Sequence, residues 1–144
     1  MSTMGARLGL AAMDALGVSK ADQFRVEGYY FAKNCALDGI QYVTGCTLGN
    51  SNLGFEDGGR FCFVLKKRDG SAEAEVSVSE GALARLSAHK KKKAELSEEK
   101  GISGLARAMD IDREIARDSE GLVQWVQDAS DGELLHINCI RAGR

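Results

Sequence analysis

Residues 34–53, which read NCALDGIQYVTGCTLGNSNL, combine a short apolar periodicity with a glycine-rich loop. Leu37, Ile40 and Val43 recur at helical spacing, so the first part is predicted to form a helix over residues 36–44 with these side chains facing inward. The two glycines that follow can adopt positive φ values, which lets backbone N–H groups converge on an anion or on a partner's backbone. The stretch therefore predicts a helix that leads into a loop suited to ligand binding.

The sequence on either side of this stretch alternates between helical and strand-like patterns. Asp69-Gly70 separates two strand-like runs, which is a strong signal of a β-hairpin. No internal repeat or low-complexity linker divides the chain, so the expected architecture is one α+β domain, residues 1–144, with an antiparallel sheet packed by helices. The predicted helices are 4–16, 36–44, 80–100 and 104–127, and the predicted strands are 23–31, 60–68, 72–79 and 133–140.

Composition excludes several classes of function. The chain has 144 residues, of which 44% are hydrophobic and 28% charged, and these are the values of a globular protein. A net charge of −2 gives no global positive field for nucleic acid. No apolar run approaches the ~20 residues that cross a bilayer, and the N-terminus shows no secretory cleavage pattern. We therefore expect a cytoplasmic protein that binds neither nucleic acid nor membranes.

The run His89-Lys90-Lys91-Lys92-Lys93 is the one strongly basic segment. Four consecutive lysines wrap around a helix instead of forming a stripe, and glutamates follow closely. Glu95 lies four residues after Lys91, on the same helical face. The run is therefore predicted to be a solvated helix face and not a phosphate-binding patch.

The cysteines concentrate interest on the start of the second predicted helix. Cys35 precedes that helix, whose dipole favours a thiolate there, and Asp38 follows on the same face. If the intervening residues are mostly helical, Cys35 and Cys46 lie roughly 16 Å apart at ~1.5 Å per residue, too far for one chain to place both on one metal. Two copies of the chain could bring the Cys46 of one near the Cys35 of the other. Cys62 and Cys139 are predicted to be small apolar residues.

The motif C-A-x-D-x-I-Q-x-x-T-G-C-T-x-G begins at Cys35 and is followed by D-G-G-R-F-C-F-V-L. Together with Gly5-Ala6-Arg7-Leu8-Gly9, it resembles the core signature of the FmdE-like family of formylmethanofuran dehydrogenase proteins over roughly residues 4–80. The resemblance implies an α+β domain, commonly a homodimer, with a metal site usually thought to hold zinc. It also implies association with the molybdenum or tungsten enzyme that handles formylmethanofuran, and so a partner among the subunits of a redox enzyme.

The resemblance implies metal ligands at Cys35, Asp38 and Cys46. The family typically carries a His-x-Cys-Pro element before the first helix, whereas this chain begins Met1-Ser2-Thr3-Met4. Either the true start lies upstream or this member lacks that half of the site, which would then bind metal weakly or with water completing the shell. The C-terminal zinc ribbon of some members is also absent, because Cys139 stands alone.

Three polar residues of the same stretch, Gln41, Thr47 and Asn52, are candidate substrate-binding residues. The side-chain amides of Gln41 and Asn52 can equally satisfy backbone groups of the glycine loop. The functional proposition common to all of these residues is that Cys35, Cys46 and the loop line an accessible polar pocket.

Three functions follow as alternatives. The first is a metal-binding accessory or substrate-binding component of formylmethanofuran dehydrogenase-type one-carbon or redox metabolism. The second is a metal-free member that acts as a protein-interaction module. The third is a thiol enzyme with Cys35 as nucleophile, although no histidine base lies nearby in sequence. The chain contains no complete catalytic motif, so whether it is an enzyme stays open.

Overall fold

The structure is a computed structural model that describes residues 1–142. Each predicted helix and strand is present, with shifted ends. Residues 20–25, predicted in part as the start of a strand, instead form a 3-10 turn whose Ser19 and Asp22 make a capping box. The helices are α1 (Ser2–Leu16), α2 (Ala36–Thr44), α3 (Glu80–Ile102), α4 (Leu105–Asp128) and α5 (Asp131–Leu134), and the strands are β1 (Val26–Tyr30), β2 (Leu53–Phe55), β3 (Cys62–Lys67), β4 (Ala72–Val78) and β5 (Leu135–Arg141).

The five strands form one sheet in the order β2-β1-β3-β4-β5. The pairs that involve β3, β4 and β5 are antiparallel, but β1 and β2 are parallel, with Gly28 opposite Leu53. The α+β class is confirmed, whereas the prediction of a purely antiparallel sheet is wrong. The cause is β2, whose three residues are too short to show an alternating pattern. It reaches the sheet after the α2 crossover, which makes its pairing with β1 parallel.

Helices α1 and α2 pack against each other, and α1 also packs on β3, β4 and β5. Two glycines permit the close approach of these helices. A Cβ atom at Gly5 would lie 1.8 Å from the carbonyl oxygen of Ala36, and one at Gly39 would lie 1.9 Å from that of Ser2. The core beneath them is apolar and closed, and its fully buried side chains include Met4, Leu8, Tyr30, Ile40, Phe63 and Leu65.

The other side of the sheet carries polar side chains. Successive residues of a strand point to opposite faces, and Val26, Gly28 and Tyr30 alternate with exposed neighbours along β1. Glu27 of β1 lies opposite Lys66 of β3, so opposite charges are adjacent on this side. We call this side the open face of the sheet.

Helices α3 and α4 form a hairpin that buries few of its own residues, among them Leu86 and Val126 near its base. The guanidinium of Arg7 donates hydrogen bonds to the carbonyl oxygens of Val126, at 2.7 Å, and Ala129, at 2.8 Å. It also forms an ion pair with Asp131 at 2.6 Å. These bonds fix the carboxyl end of α4 to α1, so the base of the hairpin is attached to the core.

None of the helices within residues 1–142 is both long enough and apolar enough to span a membrane.

Candidate functional site

Cys35 and Asp38 lie at the amino end of α2, as the sequence predicts, and both are exposed. Cys35 directly precedes the helix, and Asp38 lies in its first turn, where a carboxylate interacts favourably with the helix dipole. The preceding residue, Asn34, orders this corner through its side-chain oxygen. That oxygen accepts one hydrogen bond from the Ala36 amide at 2.9 Å and another from the Tyr30 hydroxyl at 3.3 Å. An accessible thiol and an accessible carboxylate therefore share one end of the helix.

Cys46 differs from Cys35, because its side chain has no exposed surface. The hydroxyl of Thr44 donates to the Ile40 carbonyl at 2.7 Å and accepts a hydrogen bond from the Cys46 amide at 3.1 Å. Burial raises the pKa of the Cys46 thiol and so disfavours its thiolate. The expectation that both sulfurs line an accessible pocket is wrong for Cys46.

The three predicted metal ligands do not converge in a single chain. Within residues 1–142, no group of three or more His, Cys, Asp or Glu side chains is placed to hold a metal ion. Protein-bound zinc takes at least three protein ligands at about 2.0–2.3 Å. One chain therefore offers zinc an exposed pair, Cys35 and Asp38, which is less than a complete ligand set.

A buried hydroxyl lies close to two of the thiols. Tyr30 is fully buried, and burial, reinforced by the neighbouring Cys35 and Cys62 sulfurs, raises the pKa of its phenol to about 12. Burial also raises the pKa of the Cys62 thiol. Cys62 is buried, as the strand pattern predicts, whereas Cys139 lies exposed on edge strand β5, with its thiol directed at the Ala15 carbonyl at 3.6 Å.

The loop between α2 and β2 is held together by two of the predicted substrate-binding residues. Asn52 is 2% exposed, and its side chain accepts from the Thr47 amide at 2.8 Å and donates to the Gln23 carbonyl at 2.8 Å. The Thr47 hydroxyl accepts a hydrogen bond from the Asn50 amide at 3.1 Å. These side chains satisfy backbone groups, which is the alternative that the sequence left open. Gln41, on α2, is half-buried, and its carbonyl oxygen accepts a hydrogen bond from Gly45.

A cavity of about 360 Å³ opens between this loop and the open face of the sheet. We call it the loop cavity. The ring of Tyr29 lies over Gly54, where a Cβ atom would approach the ring to 2.7 Å. Two side chains of opposite charge, Glu27 and Lys66, line the same space. The complete lining is Glu27, Gly28, Tyr29, Ser51, Asn52, Leu53, Gly54, Val64 and Lys66.

Ser51, at the edge of the loop cavity, has a φ of 54°, which is uncommon for a residue other than glycine. Tyr29, Glu27 and Lys66 were not predicted as site residues. The alternation of exposed and buried residues along β1 marks Glu27 and Tyr29 as facing away from the core. That pattern does not reveal that the loop after α2 returns beside them, because the parallel β1–β2 pair was not predicted.

The comparison with protein families gives a match to FmdE, described as "FmdE, Molybdenum formylmethanofuran dehydrogenase operon", over residues 1–136. The match covers the sheet, α1 and α2, and the helical hairpin.

Two individual proteins are also similar. A probable S-adenosyl-L-methionine-binding protein of Archaeoglobus fulgidus is 36% identical over 69 residues, which are 45% of this chain and 19% of that protein. The fold also resembles the crystal structure of an FmdE-like protein of tungsten formylmethanofuran dehydrogenase from Syntrophus aciditrophicus. The TM-score is 0.56 at 15% identity, and the match covers 97% of this chain and 64% of that one. At that identity, the likeness shows a shared fold.

Proposed function

The chain belongs to the FmdE family, and on this premise we propose that it is an accessory, small-molecule-binding component of a formylmethanofuran dehydrogenase-type system of one-carbon or redox metabolism. The observation that carries the proposal is the loop cavity, where an aromatic ring and two opposite charges border one concave space. The description of the family supplies the link to the dehydrogenase.

The lining of the loop cavity fits a planar, polar ligand. The Tyr29 ring is 39% exposed and offers a surface on which a heteroaromatic ring can stack. Glu27 can accept hydrogen bonds from ligand hydroxyl or amino groups, and Lys66 can pair with a carboxylate. The volume of about 360 Å³ lies within the range of small-molecule sites. The similar Archaeoglobus protein is described as a probable S-adenosyl-L-methionine-binding protein, and that ligand combines an adenine ring with a carboxylate and an amine.

Calorimetric titration of the purified protein with S-adenosyl-L-methionine, and separately with adenosine, tests this function. We expect saturable binding that the Tyr29→Ala variant weakens about tenfold, because stacking on an aromatic ring contributes about 1–3 kcal/mol. The matched control is Tyr42→Ala, since Tyr42 is 77% exposed on α2 and does not line the loop cavity.

Two results of this titration would overturn the proposal. One is the absence of saturable binding of either compound. The other is equal loss of affinity in the Tyr29 and Tyr42 variants, which would place the ligand elsewhere. In the first case, the protein-interaction module becomes the favoured function.

Zinc binding stays a prediction. The exposed pair Cys35 and Asp38 supports it, but a complete site needs further donors, such as those of a second copy of the chain. Metal analysis of protein purified without chelator is the test, and Cys35→Ser should lower the zinc content. The control is Cys139→Ser, which removes the other exposed cysteine. Zinc at background level in the unmodified protein would leave the metal-free alternative.

We further propose that the protein is a homodimer that associates with the subunits of a dehydrogenase. The supporting feature is β5, an edge strand of seven residues that pairs with β4 on one side. The unpaired backbone groups of such an edge can pair with a strand of another chain. Light scattering of the protein alone, and after co-expression with the dehydrogenase subunits, measures both associations.

A further inference from the structure

A second cavity, of about 410 Å³, lies between α3 and α4 in the helical hairpin, away from the loop cavity. Three basic side chains of α3 border it at helical spacing, namely Arg85, His89 and Lys92, so they share one face of that helix. We call this cavity the hairpin cleft. Its complete lining is Arg85, Ala88, His89, Lys92, Arg117, Asp118, Gly121 and Leu122.

The hairpin cleft is positively charged although the chain as a whole has a net charge of −2. Its lining contains two arginines, a lysine and a histidine, against one carboxylate, Asp118. That carboxylate is already engaged. Its oxygens lie 2.5 Å from Nδ1 of His89 and 2.9 Å from Nζ of Lys92. Asp118 therefore neutralises and orients these two side chains and leaves the arginines without a counter-charge in the cleft.

Neither arginine of the cleft has a carboxylate partner within residues 1–142. The guanidinium of Arg85 lies over the ring of Trp125, 4.2 Å from the ring centre. Stacking of this kind holds the planar group in place and leaves its N–H edge free to donate. Arginine pairs with carboxylate and phosphate groups through two parallel hydrogen bonds. The cleft therefore presents oriented donors for an anion.

The floor of the cleft is open. Gly121 is in the interior of α4, and a Cβ atom built there has no atom within 4 Å. Packing between the helices therefore does not explain a glycine at this position, which costs a helix about 1 kcal/mol relative to alanine. The absence of a side chain enlarges the cleft directly beside Asp118.

We propose that the hairpin cleft binds a small anion with two or more negative charges, carried by phosphate or carboxylate groups, through Arg85 and Arg117. This site is separate from the loop cavity, and its occupation does not depend on the function proposed above. The exposed lysines of the basic run remain a solvated helix face, as the Lys91–Glu95 pair at 3.9 Å shows. Lys92 alone of these four lysines lines the cleft.

Trp125 is the only tryptophan of the chain and supplies a built-in reporter, because it stacks on Arg85. Its fluorescence should be followed at low ionic strength during titration with pyrophosphate and, in a separate arm, with citrate. The two arms distinguish a phosphate-type from a carboxylate-type ligand. We expect a saturable change in at least one arm, with isothermal calorimetry as a measurement that does not depend on the reporter. Sodium chloride at matched ionic strength should produce no saturable change.

The Arg117→Gln variant removes one clamp and should weaken binding about tenfold or more, since a hydrogen bond to a charged group is lost. The matched control is Arg113→Gln on the same helix. Arg113 pairs with Asp110 at 3.0 Å and does not line the cleft. Gly121→Leu should abolish binding by filling the cleft, with its fold checked by circular dichroism.

The proposal is overturned if neither anion binds saturably by calorimetry, or if Arg117→Gln binds as tightly as the unmodified protein. Equal weakening by Arg113→Gln and Arg117→Gln would show general attraction to a basic surface and would also refute it. Because Arg117 is exposed, its replacement leaves the core intact, so this variant decides the question even if Gly121→Leu fails to fold.

Discussion

The sheet with α1 and α2, residues 1–78, and the helical hairpin of α3 and α4 are held together in different ways. The first region packs helix backbones against each other and encloses a core of fully buried side chains. The hairpin leaves even its apolar tip exposed, with Ile102 at 88% and Leu105 at 80%. Charged pairs join its helices, among them Lys100–Asp112 and Arg107–Glu99.

This contrast separates the two candidate sites by the rigidity of their walls. The loop cavity is built on sheet strands whose opposite faces are buried, so its geometry is set by the core. The hairpin cleft is bounded by two helices that the core contacts near their base. Ion pairs between exposed side chains contribute little stability and are screened by salt. We therefore expect the cleft to respond to solution conditions more than the loop cavity does.

The largest difference between the regions should appear when one glycine in each is replaced by alanine. In Gly39→Ala, the new Cβ would lie 1.9 Å from a backbone oxygen of α1. The clash should destabilise the protein by about 3 kcal/mol, more than the ~1 kcal/mol gained from helix propensity. Gly121→Ala meets open space and should stabilise the protein by about 0.5–1 kcal/mol. Urea unfolding measures both, and a neutral Gly39→Ala would show that the α1–α2 approach is looser than described.

A smaller effect is expected where the two regions are joined. Arg7→Ala removes the donors to the Val126 and Ala129 carbonyls, and we expect a loss of about 2 kcal/mol, since these bonds involve a charged group. Arg7→Lys should recover only part of it, because an ammonium cannot reproduce the planar fork. Hydrogen exchange should speed up most at the carboxyl end of α4. Equal acceleration in α2 would contradict a local role for Arg7.

The fold could be predicted from the sequence where the pattern is long. Helix α2 has the bounds that the spacing of Leu37, Ile40 and Val43 predicts, and the Asp69-Gly70 turn correctly joins β3 to β4. Strand β2 could not be predicted, because three residues do not establish a period. Its omission also concealed the parallel pair, so the sheet was predicted as antiparallel.

The candidate site was less predictable, because burial depends on tertiary contacts. A cysteine in a glycine-rich loop has the same local signature whether its sulfur points outward or, as in Cys46, into the core. The same holds for Asn52, whose amide supports the loop instead of facing a ligand. Cys35 and Asp38 were correctly expected at the start of α2, since helix position alone places them.

The smallest expected effect concerns the ion pair between the hairpin helices, Lys92 and Asp118. Lys92 and His89 hold the pKa of Asp118 below its ordinary value of 3.8, so the pair stabilises the fold above that pH and loses its effect as pH falls through the lowered value. The partnership also raises the pKa of Lys92, so the contribution is retained up to the ordinary pKa of lysine and lost only as pH rises through the raised value. Lys92→Ala should lower the urea midpoint at pH 7 by less than Arg7→Ala does, and the difference should shrink in ~1 M salt and at acid pH. Lys90→Ala, on the same helix but without a carboxylate partner within residues 1–142, is the control. A difference that persists unchanged in high salt and acid would mean that Lys92 acts through packing of its aliphatic stem, and the hairpin would then resemble the core more than its charges indicate.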